Sequence, residues 1–183
     1  NKYYDRYNLN YKKSKFNQQL KDSLKNLTQL QKLTFGYYFN KPLSNSLNNL
    51  KQLEQLTFGG NFNQPLNDSL EKLTKLQQLT LGFDFNQQIE IPSNIKILNL
   101  NCNLINLIDN LPNSIIELNF GYYFDLELSN LPNSIKIIKF VEESRYNKEL
   151  NNLPKSLEIL ELPTNYNKEI KNIPTNCKII KIQ

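Results

Sequence analysis

Short apolar blocks recur along this chain in a single spelling, with apolar residues at the first, fourth and sixth positions and mostly polar residues between them. Leu30, Leu33 and Phe35 form the clearest early block, and Leu53, Leu56, Phe58 and Leu76, Leu79, Leu81 repeat it at a spacing of 23 residues. The block returns from Ile95, Ile115, Ile135, Leu157 and Cys177, at steps of 19, 20, 20, 22 and 20. Alternation at the fourth and sixth positions predicts a short strand with one face in a core and one face outside. One strand per fixed period predicts stacked coils, each adding a strand to a parallel sheet and returning along the opposite side.

A second signature follows each block: an aromatic residue and then Asn. It reads Phe16-Asn17, Phe39-Asn40, Phe62-Asn63, Phe85-Asn86, Tyr146-Asn147 and Tyr166-Asn167, with Phe124-Asp125 as a variant and Asn103 closing the Ile95 block. Rings stacked coil on coil, beside an Asn that satisfies turn backbone groups, would form a continuous spine. The returns differ between halves. Residues 43–53 and 66–76 space their leucines by about three, which predicts short helical or 3-10 turns. From residue 91 onward the returns read IPSNI, LPNSI, LPNSI, LPKSL and IPTNC, and proline there predicts extended segments or turns. The period falls within the range of leucine-rich repeats, roughly 20–29 residues. The expected fold class is therefore α/β and strand-rich, a leucine-rich-repeat-like solenoid with a parallel concave sheet of eight strands.

The phrases LTFGYYFNKPL, LTFGGNFNQPL, LPNSIIELNFGYYF and LPNSIKIIKF resemble FNIP repeats, a leucine-rich-repeat relative found in social amoebae and in giant DNA viruses of amoebae. The resemblance covers residues 16–183 as one solenoid. Asn103-Leu104-Ile105 departs from the aromatic-Asn step, Glu142 to Arg145 adds residues before Tyr146, and residues 1–15 read as an incomplete N-terminal cap or a linker. The chain starts at Asn1 and contains no Met, so it reads as a piece of a longer one. The resemblance implies a partner-binding role, since such proteins often carry an F-box and would deliver bound targets to a ubiquitin ligase. It also implies the cytoplasm of a host or amoebal cell.

Composition narrows the chemistry. The chain has no His, and its two cysteines, Cys102 and Cys177, fall in different repeats, so His-based catalysis, zinc clusters and a structural disulfide are not expected. Free thiols and the lack of a long apolar stretch point to an intracellular protein with no membrane span. No cofactor motif occurs, and no enzyme activity is expected. Of the net charge of +5, the excess sits in residues 1–36, where the basic residues are scattered; solvated surface explains them better than nucleic-acid binding.

The function expected from such a shape is binding of a partner protein on the sheet face. The third column of the blocks runs Lys32, Gln55, Gln78, Ile97, Glu117, Ile137, Ile159, Ile179, and the fifth runs Thr34, Thr57, Thr80, Asn99, Asn119, Lys139, Glu161, Lys181. An isoleucine row rimmed by charge, Ile97, Ile137, Ile159 and Ile179 with Lys139, Glu161 and Lys181, is the expected partner site. Tyr37, Phe83 and Tyr122 at the strand exits are a second candidate. Self-association through the solenoid ends is the alternative.

Overall fold

The computed structural model describes residues 14–182. Eight parallel strands lie side by side in chain order: β1 (Lys32–Thr34), β2 (Gln55–Thr57), β3 (Gln78–Leu81), β4 (Ile97–Leu100), β5 (Glu117–Phe120), β6 (Ile137–Phe140), β7 (Ile159–Pro163) and β8 (Lys178–Ile182). Two single-turn helices, α1 (Asn67–Leu70) and α2 (Ile105–Ile108), interrupt the returns. The cap or linker expected over residues 1–15 falls, for residues 1–13, outside the described residues.

The alternation in the sequence sets the sheet register. Leu56, Leu79, Leu98, Leu118, Ile138 and Leu160 lie opposite one another in successive strands, and all are fully buried. Shifting any of these strands by one residue would turn its apolar set outward, and each such leucine contributes roughly 1.5–3 kcal/mol when buried. The returns supply the opposite wall. Leu43, Leu47, Leu50, Leu53 and their counterparts Leu66, Leu70, Leu73, Leu76 all point into the core. They ride on tight turns in which the N–H donates to the carbonyl three residues back, as from Leu50 to Leu47 and from Leu53 to Leu50. In the second half the proline carbonyls accept such bonds: Ile95 donates to Pro92, Ile115 to Pro112, Ile135 to Pro132, Leu157 to Pro154 and Cys177 to Pro174. Proline cannot donate, but here only its carbonyl is needed.

One return departs from the expectation. After β4 the chain forms α2 rather than an extended segment. The exit turn Asn101-Cys102-Asn103 has no ring to bury, and Leu107 and Ile108, adjacent on one turn, fill the core instead. Proline enters this return only at Pro112, too late to forbid the helical turn.

The turn aromatics stack along the solenoid axis. Ring centroids of Phe16, Phe39, Phe62 and Phe85 are 6.0, 6.0 and 6.2 Å apart and nearly parallel. Beyond a break at Cys102, Phe124, Tyr146 and Tyr166 continue at 6.1 and 6.0 Å. A second ring column at the strand ends leans on the first, with Phe58 4.1 Å from Phe62 and Phe120 4.0 Å from Phe124. The asparagines run beside the rings as a ladder. Each Oδ1 accepts the backbone N–H one coil onward: Asn17 from Asn40 (2.9 Å), Asn40 from Asn63 (3.0 Å), Asn63 from Asn86 (3.0 Å), Asn103 from Asp125 (3.1 Å) and Asp125 from Asn147 (3.2 Å). Asn167, at the last such step, is exposed. Each bond ties the backbone of one turn to the side chain of the preceding coil, mostly at the solvent-exposed edge of the spine.

Coils can approach this closely only where side chains are absent. A Cβ on Gly82 would land on the Gly59 carbonyl, and one on Gly59 would meet the Tyr37 Cα at 2.8 Å.

Candidate functional site

On the open face, the register of β1 to β7 assembles the two expected columns. The third positions align as Lys32, Gln55, Gln78, Ile97, Glu117, Ile137 and Ile159, and the fifth as Thr34, Thr57, Thr80, Asn99, Asn119, Lys139 and Glu161. The polar residues bond to each other along the sheet. Asn99 Nδ2 donates to Thr80 Oγ1 at 2.7 Å, and Asn119 Nδ2 donates to Asn99 Oδ1 at 2.7 Å and to Glu117 Oε1 at 3.0 Å. The Lys139 ammonium then lies 3.7 Å from Glu117 and 3.9 Å from Glu161. Pairs this exposed add about 1 kcal/mol at most, so their main effect is to fix side-chain positions around Ile137.

The isoleucine row is shorter than expected. Ile137 and Ile159 are adjacent and half-buried, but Glu117 separates them from Ile97. The larger correction lies in β8. Lys178, not Ile179, sits opposite Ile159, and Ile179 lies opposite Leu160, packed against the core. Lys181 correspondingly lies opposite Leu162; its ammonium donates to the Tyr166 carbonyl at 2.6 Å and sits 5.0 Å over that ring. Neither Ile179 nor Lys181 belongs to the face columns. Their places opposite Ile159 and Glu161 pass to Lys178 and Ile180. The segment KIIKI offers an inward isoleucine in either register, and the slipped one gives Lys181 a carbonyl and a ring face as partners.

The second candidate set does come together, at the rim where strands β1, β3 and β5 exit. Tyr37 and Phe83 are 5.7 Å apart, and Phe83 is 6.3 Å from Tyr123, which contacts Tyr122 edge-on at 4.7 Å. Tyr38 extends the strip from Tyr37 at 4.9 Å, and the Arg145 guanidinium covers Tyr122 at 4.9 Å. Sequence reading missed Tyr38 and Tyr123, the two most exposed rings of the strip, at 43% and 51%. Both are the second of a Tyr-Tyr pair, and that doubling was the available signal.

Other chemistry is sparse. Burial pushes the Cys102 thiol up to about 12, and it raises Cys177 as well. Among the described residues no group of three or more His, Cys, Asp or Glu could hold a metal ion, and no helix is long and apolar enough to cross a membrane.

A parallel ladder with one short strand per coil, leucine-lined returns and a stacked spine define a leucine-rich-repeat-type solenoid. Its central coils match the FNIP Repeat family, over residues 85–123 and 105–143. Among solved structures the chain is similar to the giant-virus protein CroV588, described as a novel circular LRR protein, with 33% identity and a TM-score of 0.62. That likeness covers 80% of this chain and 23% of the other, so this chain spans under a quarter of its relative's length. None of the curated proteins matches this sequence.

Proposed function

We propose that this solenoid is a protein-interaction module that binds a partner on the open face of its sheet, without catalysis of its own. The observation that carries the reading is the pair Ile137 and Ile159, half-buried side by side on that face and flanked by the Glu117–Lys139–Glu161 network. An aliphatic centre with a charged rim is the anatomy of a partner site. Leucine-rich-repeat-type folds generally serve protein interaction, and this supports the coarse reading. The finer reading, recruitment of substrates to a ubiquitin ligase in the cytoplasm, rests on the FNIP resemblance alone.

The test is an affinity capture from amoebal lysate with the native chain and with Ile137→Asp/Ile159→Asp, after circular dichroism and melting show both fold alike. Loss of a specific captured protein with the double variant, together with ubiquitin-ligase components among the natively captured set, is the expected result. Capture that the double variant leaves unchanged would move binding off the sheet face. A concentration-dependent mass with no other protein captured would favour self-association instead.

A further inference from the structure

We infer that the aromatic strip at the strand-exit rim is a second binding surface, separate from the sheet face, and that its occupant is an extended, arginine-bearing segment of a partner protein.

The strip is not a by-product of the fold. Gly60-Asn61 follow β2 where Tyr37-Tyr38 follow β1, and the shorter exit Asn101-Cys102-Asn103 after β4 carries no ring, so stacking needs none there. Those two coils instead make room. A Cβ on Gly60 would come within 2.6 Å of both Tyr37 Cε2 and Phe83 Cε1, and the rings of the first and third coils meet only because Gly60 has none. The short exit after β4 similarly lets Phe83 reach Tyr123. The result is an unbroken path from Tyr38 through Tyr37, Phe83 and Tyr123 to Tyr122, in which no step exceeds 6.3 Å. The spine rings Phe39, Phe62 and Phe124 are fully buried, whereas Tyr38 and Tyr123 stand open.

The charge around the strip selects the ligand. The exit turns that carry or flank it hold Asp84, Glu142 and Glu143 against Lys15 and Arg145 among the described residues, so acidic side chains outnumber basic ones there on a chain whose net charge is +5. Asp84 and Glu142 are exposed and form no ion pair among the described residues. One ring shows the contact already made: the Arg145 guanidinium lies 4.9 Å over Tyr122. A partner's guanidinium groups would occupy the remaining open faces, on Tyr123 and Tyr38, with Asp84 and Glu142 as counter-charges. Planar, weakly hydrated guanidinium suits such faces better than ammonium does. A proline-rich segment would also stack on the rings but leaves the carboxylates unused, and a sugar would engage them only through neutral hydroxyl donors, without supplying a counter-charge.

The test is titration of a fluorescently labelled nine-residue peptide, three repeats of Arg-Gly-Ser, into the full chain at about 50 mM salt. Saturable binding is expected, weakened about tenfold or more by Tyr38→Ala/Tyr123→Ala and several-fold by Asp84→Asn/Glu142→Gln. Binding should be lost with citrulline in place of arginine and weaker with lysine. Ile137→Asp/Ile159→Asp should leave it unchanged, so this inference and the sheet-face reading stand or fall separately. Both tyrosines are exposed, so their variants should melt like the native chain. The inference is overturned by absence of arginine-peptide binding, by equal binding of the lysine peptide, by binding that survives the tyrosine variant, or by a nine-proline peptide binding where the arginine peptide does not.

Discussion

Replacing Phe62 by alanine removes one ring from the middle of the spine. Phe62 is fully buried, stacked at 6.0 Å on Phe39 and at 6.2 Å on Phe85, with Phe58 leaning on it at 4.1 Å. A buried phenylalanine withdraws about 150–200 Å² from water, and at about 25 cal/mol per Å² this corresponds to about 4–5 kcal/mol. Core Phe→Ala substitutions cost roughly 3–5 kcal/mol, so a loss of about 4 kcal/mol is expected here. In a chain of this length that lowers Tm by roughly 8–16 °C. Phe16 provides the internal comparison. It belongs to the same stack, 6.0 Å from Phe39, but is 46% exposed; its replacement by alanine should cost about half as much. Urea denaturation of the three proteins, followed by circular dichroism, measures both losses. A Phe62→Ala loss below about 1 kcal/mol, or equal losses at the two positions, would refute the stacked spine as the source of stability.

Gly82→Ala would drive its Cβ into the Gly59 carbonyl and should cost about 1–3 kcal/mol; an unchanged urea midpoint would contradict the close coil contact. The Tyr146 hydroxyl is buried and has no hydrogen-bond partner among the described residues, so Tyr146→Phe should keep or raise stability by about 1 kcal/mol, and a clear loss would reveal a hidden partner. The slipped register of β8 predicts that Ile179→Asp, on the core side, destabilises more than Ile180→Asp; the reverse order in thermal melts would restore the unslipped register. The folded state holds the Cys102 proton up to about 12, against an ordinary value of 9.0, and the Tyr166 proton also up to about 12. Folded protein therefore binds more protons than unfolded chain in alkali, so stability is complete below pH 9 and falls as pH rises from 9 toward 12. Tm measured across pH 8–11 should fall, less steeply in Cys102→Ala, and a rising Tm would contradict the sign.

The sequence made most of the architecture legible because each coil states the same information again. Seven blocks, from Leu30 to Leu157, with inward fourth and sixth positions define strands and register together, and recurrence of Leu56-type residues leaves a single column for them to fill. Legibility failed where a segment satisfied two arrangements equally. Ile179, Ile180 and Ile182 supply an inward residue in either register, so periodicity could not place Ile179 in the core or Lys181 against Tyr166. It failed at α2 for a related reason: Leu107 and Ile108 reach the core only because the preceding turn lacks a ring, a three-dimensional compensation with no local spelling. At the exit rim, Tyr37, Phe83 and Tyr122 were marked by position. Their union with Tyr38 and Tyr123 depends on the recession of Gly60 and of the Asn101-Cys102-Asn103 turn, visible only once coils are stacked.

Photo-cross-linking shows which face of the solenoid meets the partner. A benzophenone-bearing residue placed at position 159 on the sheet face, or at position 72 on an exposed return, is irradiated with the partner recovered by affinity capture, and the adducts are mapped by mass spectrometry. Efficient cross-links from position 159 and none from position 72 are expected. Cross-links from position 72 with none from 159 would show that the partner binds the returns, and that the open sheet face is not the binding surface.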